Sequence, residues 1–502
     1  MAEPLPFPVE ASADEASARP RALEALSSLA AKGALWSALG FGGMQAVRFA
    51  GNLILTRLLF PEAFGVMAVV NVFMEGLSLF SDVGIGPSII QNQRGAEPRF
   101  LNTAFTIQAM RGAALWAAAC VGAWPMASFY PHMPGLRPLI CAAGATAFIE
   151  GFNSTKLFSA HRRLELKRVM IVELAGTSVG LVIMVIAALV HRSVWALVLG
   201  GLSKSATLMA LSHVALRGER NRFAWDASCR GALFRFGRWI FFSSMLGFVA
   251  GKADQLVFAK MIPEDRMGVY YVTVTLLAVP TFGLSHVLGT VLFPFYSRLR
   301  EESAELGPWY SKSRVPGMML GAWAMAGLIA GGPTVIRLLY DPRYASAGWM
   351  LQALALGSWF VLLESTNGVV LLARGEAHFT AAGSLAKVIG MCVLIPVGHH
   401  FGGFPGAVLG LSASELGRYA VSTAAARAAG LKGLRQDFAL SLGIAASAAV
   451  GYWATQAVSH AGVPTLVEAL TTFVVVTALW APAVALYVRR NGAQIRAMIG
   501  RR

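Results

Sequence analysis

The sequence predicts an all-α integral membrane protein of about fourteen transmembrane helices. Two six-helix lobes form a parallel repeat around a central cavity, and two further helices follow at the C-terminal end. Three observations predict it. Of 502 residues, 56% are hydrophobic and 14% charged, against roughly 25% charged in soluble chains, so no water-facing fold could hide the apolar side chains. The apolar residues fall in runs long enough to cross about 30 Å of hydrocarbon. One short motif recurs about 200 residues on.

Residues 1–32 are rich in Pro, Ala, Ser and Glu and have no apolar run and no basic start. They are expected to be a partly disordered cytoplasmic tail, with a short amphipathic helix from Arg21 to Lys32, and not a cleaved secretory signal. Spans follow near 34–56, 64–86, 103–128, 138–159, 169–190 and 194–216, which make a first lobe over 33–216. A basic cytoplasmic linker occupies 217–234. Spans near 235–260, 268–296, 315–336, 346–373, 379–398 and 404–426 make a second lobe over 235–430. Residues 431–502 hold two more spans, near 437–458 and 464–488, and a basic cytoplasmic tail.

The net charge of +16 is largely topological. With the N-terminus inside, and with Arg235 and Arg238 at the start of the seventh span counted with the linker, 28 of the 42 Lys and Arg fall on the cytoplasmic side and 6 in outer loops, which places both termini in the cytoplasm of an inner-membrane protein. These basic residues are spread over many short loops, a pattern that argues against a nucleic-acid partner. The four cysteines, Cys120, Cys141, Cys229 and Cys392, are scattered and imply neither a disulfide framework nor a metal cluster.

The recurring motif lies in two outer hairpins. Arg57 to Val66 and Lys260 to Val269 each carry a basic residue, an apolar stretch, Pro-Glu and then Gly-Val. Each joins the first and second helix of a six-helix set. Six is even, so both sets start on the same side, and a substrate site is expected between them near the midplane.

Ionisable groups at membrane depth are costly and mark a wet path or a bound ligand. The first span carries Gln45, Arg48 and Asn52 within roughly 60° of one another, and the second a stripe of Asn71, Glu75, Ser78 and Asp82. The third adds Gln108 and Arg111, and the fourth Glu150, Asn153 and Lys156. The seventh carries Lys252 and Asp254, which point in different directions and need separate partners, with Lys260 at its outer end. Each also has a structural reading: Glu75 or Asp82 clamped to Arg48 or Arg111, and Lys156 and Lys260 snorkelling. Glu415 and Arg418, three apart, are expected to pair within one helix; Glu364 and Lys387 stand alone. The phosphate-cradling, zinc-protease and nucleophile-elbow motifs of enzymes do not occur.

Several of these stretches resemble a known family. They are Arg57 to Gly65, Asp82 to Gln91, His161 to Arg168, Asp254, Gly268 to Tyr271 and Leu292 to Leu299. They are similar to polysaccharide flippases, the O-antigen and exopolysaccharide branch of the multidrug/oligosaccharidyl-lipid/polysaccharide exporter superfamily, over about residues 33–430. The resemblance implies two lobes facing across a V-shaped cavity, and alternating access driven by a cation gradient (H+ or Na+) or the membrane potential. It implies an undecaprenyl pyrophosphate substrate carrying a sugar repeat unit, with a polysaccharide polymerase and export proteins as partners. Family motifs carry over onto Arg57, Asp82, Arg163 and Asp254.

On that basis Arg48, Arg111 and Lys252 are expected to meet the pyrophosphate, and Asn52, Asn71 and Asn153 the sugars. Glu75, Asp82 and Asp254 are candidates for coupling or gating. No resident cofactor or metal is expected. Three rival readings are a cation-coupled drug antiporter, a lipid II flippase, and a non-transporting scaffold of polysaccharide assembly.

Overall fold

The computed structural model describes residues 36, 39–81, 84–226, 245–301 and 306–500. The expected N-terminal tail and its amphipathic helix, Asp82, Cys229 and the start of the seventh span lie outside the described residues.

Every regular element of the described chain is a helix. Helix α1 covers 39–58. It is followed by α2 (Pro61–Phe80), α3 (Ile85–Gln91), α4 (Pro98–Phe129), α5 (Leu136–Gly151), α6 (Lys156–Arg162), α7 (Leu166–Val190) and α8 (Trp195–Val214). The second half contains α9 over 245–261. Then come α10 (Glu264–Glu301), α11 (Leu306–Ser313), α12 (Val315–Leu339), α13 (Ala347–Ala373), α14 (His378–Ala428), α15 (Leu434–His460) and α16 (Thr465–Gly500). Among the described residues, ten helices are long and apolar enough to cross a membrane. Their outer faces carry exposed large apolar side chains such as Val190, Phe401 and Trp453, a surface suited to lipid.

Three helix boundaries depart from the sequence expectation, each for a local reason. The span expected over 138–159 is broken. Helix α5 stops at Gly151, the chain opens through 152–155, and α6 continues. Gln108 braces the break, its amide donating to Glu150 O and Asn153 O at 3.1 Å. Helix α2 ends at Phe80 and α3 opens after Gly84, whose φ of 66° needs glycine. Helix α14 is continuous by hydrogen bonding over 51 residues, yet Gly403 sits at φ 61°, ψ −148° inside it. A Cβ on Gly390 would meet Ser414, and one on Gly383 would meet Arg418. The two arms therefore run antiparallel from a fold at Gly403, and they correspond to the two spans expected at 379–398 and 404–426.

Packing follows two patterns. Helices α4, α5, α7 and α8 pack on one another in the first half, and α10, α12, α13 and α14 in the second, with α2 lying along α10 between them. Helices α15 and α16 pack on α12 and on each other. Two ion pairs hold them there. Arg314, fully buried before α12, reaches Asp437 at 2.6 Å, and Tyr419 donates to the other oxygen of Asp437 at 2.8 Å. At the far end of α12, Arg337 pairs with Glu468.

Candidate functional site

Between the halves, walled mainly by α1, α2, α7 and α8 of the first and closed on one side by Tyr271 and Thr275 of α10, lies a cavity of about 500 Å³. Arg48 and Asn52 of α1, Asn71 of α2, Thr177 of α7, Lys204 of α8 and Tyr271 and Thr275 of α10 supply its polar lining, with Gly180 of α7 in the wall. Arg48 and Asn52 are four apart and so share a helix face. Lys204 comes close because α7 presents Gly180 to it: a Cβ there would sit 2.8 Å from the Lys204 Cβ. Arg48 contacts Gln45 at 3.4 Å. Lys204 feels Arg48 and the carboxylates of Glu150 and Glu173. Two cations and several amide and hydroxyl groups thus face one space.

Asn52 and Asn71 also touch the second half. The Tyr340 hydroxyl donates to Asn52 Oδ1 at 2.8 Å, and the Asn71 amide reaches the Tyr271 hydroxyl at 3.4 Å. Deeper in, Glu75 and Lys252 pair across the halves at 3.1 Å, both side chains partly exposed.

At the hairpin end the halves are sealed. The two Pro-Glu hairpins meet reciprocally: a Cβ on Gly65 would overlap the Glu264 carbonyl, and one on Gly268 the Pro61 carbonyl. Only glycine allows backbones this close. Tyr130 donates to Leu256 O at 3.0 Å, and Lys260 to Phe129 O at 2.6 Å. His132 contacts Ala259 O at 2.9 Å. Arg343 lies over the Phe60 ring and contacts the carbonyls of Thr56, Arg57 and Leu59. Burial pushes the Tyr130 phenol up to about 12 and raises that of Tyr340, so both hydroxyls stay donors at physiological pH.

Other predicted residues lie away from the cavity lining. Arg111, expected on a pyrophosphate, instead binds the end of α2. Its guanidinium donates to Ser81 O at 2.9 Å and to Ser78 O at 2.8 Å, and so caps the last turn of α2. Asn153, expected on sugars, lies in the break between α5 and α6, with its side-chain oxygen buried and without a hydrogen-bond partner among the described residues. Lys156 donates to His213 O at 2.9 Å, and Glu150 accepts from Ser205 at 2.8 Å.

Lys252 and Asp254 do take separate partners. Asp254 is buried and accepts the Tyr270 hydroxyl. It belongs to a charged cluster inside the second half. There the expected Glu415–Arg418 pair within one helix is not formed: Glu415 binds Lys387 across the α14 hairpin at 2.5 Å, and Arg418 binds Glu364 of α13 at 3.0 Å. Antiparallel folding at Gly403 brings Lys387 opposite Glu415, an approach that spacing along one helix cannot reveal.

Sequence reasoning also missed Lys204, Tyr271 and Tyr340. Lys204, between two serines inside a span, carried the signal of an ionisable group at membrane depth. Tyr271 stood only inside the Gly268 to Tyr271 stretch that resembles the family, with no role attached to it, and nothing in the sequence set Tyr340 apart.

A model of the family described as polysaccharide biosynthesis protein matches residues 54–347. The lipopolysaccharide biosynthesis protein WzxC of Escherichia coli (strain K12) is 20% identical over 382 residues, covering 75% of this chain and 77% of that protein. The succinoglycan biosynthesis transport protein ExoT of Rhizobium meliloti (strain 1021) is 24% identical over 340 residues, covering 66% of each. The fold is similar to that of the lipid II flippase MurJ in an inward closed conformation, with a TM-score of 0.71 at 10% identity, over 91% of this chain and 99% of that one.

Proposed function

This multi-pass membrane protein belongs to the polysaccharide biosynthesis protein family, and from that premise we propose that it flips undecaprenyl-pyrophosphate-linked oligosaccharide repeat units from the inner to the outer leaflet. The polymer served is an exopolysaccharide or O-antigen. The relatives named for lipopolysaccharide and succinoglycan biosynthesis support a polysaccharide repeat unit over lipid II. The architecture proposed is fourteen spans: lobes over 33–216 and 235–430, a linker at 217–234, and an extra pair over 431–502, with both termini in the cytoplasm of the inner membrane. The reciprocal contact of the two hairpins supports the repeat, and the ion pairs from α12 to Asp437 and Glu468 support the extra pair as a buttress of the second lobe.

The observation that carries the reading is the cavity with Arg48 and Lys204 facing one space. A diphosphate cannot cross hydrocarbon bare, and two cations at depth replace part of its hydration. Glu150 and Glu173 balance Lys204 when no anion is bound. Asn52, Asn71 and Tyr271 present amide and hydroxyl groups to the sugars.

In alternating access the halves rock about the fixed site. The conformation described is closed at the hairpin end, the outer end by the Lys and Arg count. Outward opening must part Gly65 from Glu264 and Gly268 from Pro61, and release Tyr340 from Asn52. The Glu75–Lys252 pair is partly solvated and weak, about 0–1 kcal/mol, so it can break in each cycle and free Lys252 for the passing diphosphate. Asp254, buried against Tyr270, is the group assigned to a coupling cation.

The test is complementation. A Lys204→Gln protein, expressed at wild-type level in a flippase-null strain, should restore less than a tenth of the wild-type polysaccharide. Wild-type output from it removes Lys204 from the scheme, and the same from Arg48→Ala removes Arg48.

A further inference from the structure

We propose that the first half carries a second anion site, a pocket for a phosphate-bearing headgroup, at the surface remote from the hairpin seal. It shares no residue with the cavity between the halves. The pocket, about 400 Å³, forms where residues 95–102, helix α6 and residues 218–221 meet. Lys156, Arg162, Arg163 and Arg220 line it, against one lining acid, Glu219.

Three of these cations are fixed in place by backbone carbonyls. Lys156 donates to His213 O at 2.9 Å, Arg162 to Ile89 O at 2.8 Å and Arg163 to Arg217 O at 2.8 Å. A carbonyl orients a cation without cancelling its charge. Arg163 is also offset by Glu165 at 3.1 Å, so the cluster stays net positive. Arg220 is exposed at the rim. Ser159, 9% exposed and part of the lining, has a buried hydroxyl without a hydrogen-bond partner among the described residues. Held cations beside a vacant donor suit a phosphate oxygen. Basic residues that serve only to orient a chain in the membrane need no such recess.

The second half repeats the construction. A pocket of about 750 Å³ lies at the corresponding junctions, lined by Arg300, Arg374 and Lys432. The same turn places an arginine in each. In Arg163-Leu164-Glu165 and Arg374-Gly375-Glu376 the middle residue is left-handed, at φ 58° and 81°. Glu165 N donates to Ala160 O and Glu376 N to Leu371 O, both at 2.9 Å. Each arginine pairs with the glutamate two residues on. A device built twice at one position, once at the expense of a left-handed leucine, marks a place where that arginine is wanted.

The ligand is a phosphodiester or diphosphate group. Its source is either an anionic phospholipid of the adjoining leaflet or a soluble diphosphate. Purified full-length protein would be titrated with inorganic pyrophosphate by calorimetry. In phosphatidylcholine nanodiscs containing phosphatidylglycerol, retained phosphatidylglycerol would be counted by native mass spectrometry. Arg220→Gln and Ser159→Ala are the test variants, and Arg192→Gln, on the exposed connection between α7 and α8, is the control. Arg220→Gln should weaken binding roughly tenfold or more and Ser159→Ala severalfold, with the control unchanged. Loss confined to pyrophosphate identifies a soluble diphosphate, and loss confined to phosphatidylglycerol a membrane lipid; either supports the site. Unchanged binding of both probes by both variants, or equal loss in the control, overturns it. Polysaccharide export is not the readout, so failure here leaves the transport reading standing.

Discussion

Gly268→Ala is the perturbation that most directly tests the seal. The new methyl would overlap the Pro61 carbonyl and lie 3.1 Å from the Pro61 Cα. Its neighbours are backbone, so no side chain can rotate away. To restore ordinary contact the ends of α2 and α10 must part by about 1–2 Å, and overpacking of this kind costs roughly 1–3 kcal/mol. Wider separation also weakens the Gly65 contact with Glu264. If sealed and open states are otherwise balanced, 3 kcal/mol leaves about 1% sealed. The assay is spin-label distance measurement between the outer ends of α2 and α10 in nanodiscs. The wild type should show a short population that is largely replaced by a longer one in Gly268→Ala, with polysaccharide export falling in step. An unchanged distance distribution with full export would show that the glycine contact does not hold the outer end shut. Gly283→Ala, on the same helix with open space around its Cβ position, is the control and should behave as wild type.

Three further outcomes are expected. Asp437→Ala leaves Arg314 buried without its partner and should cost about 3–5 kcal/mol, seen as a lower unfolding temperature in detergent; Arg314→Met with Asp437→Leu should recover most of the loss. Leu164→Gly relieves a left-handed leucine worth about 1–2 kcal/mol, partly offset by glycine's entropy, so the net gain is up to about 1 kcal/mol in the same melting experiment. Glu75→Lys and Lys252→Glu should each lower export severalfold, whereas the double exchange keeps the pair and should restore it; a double variant as poor as the singles would separate the residues.

Much of the architecture was legible because the bilayer imposes a length on every span. The repeat was visible in Pro61-Glu62 and Pro263-Glu264, whose glycines face each other across the seal. Arg48 and Asn52 stood out because they share a face of α1, and Asn71 because it opens a polar stripe on α2; all three line the cavity. Arg111 and Asn153 were placed on the ligand, yet one secures the end of α2 and the other lies in a break. Sequence position records depth in the membrane but not whether a free carbonyl waits nearby. Lys204 stood alone on its helix, with no stripe to announce it. The second repeat, Arg-x-Glu, was hidden because Leu164 stands where Gly375 does. A leucine does not advertise a left-handed turn, and only the backbone reveals the match.

The scheme proposed has Arg48 and Lys204 carry the diphosphate of a lipid-linked oligosaccharide through the membrane. It is tested most directly in proteoliposomes holding a fluorescent undecaprenyl diphosphate oligosaccharide, with leaflet exposure followed by a membrane-impermeant quencher. Rapid exposure is expected with the wild type, and a rate at the protein-free level with Arg48→Gln plus Lys204→Gln. Equal rates for the two proteins would contradict it.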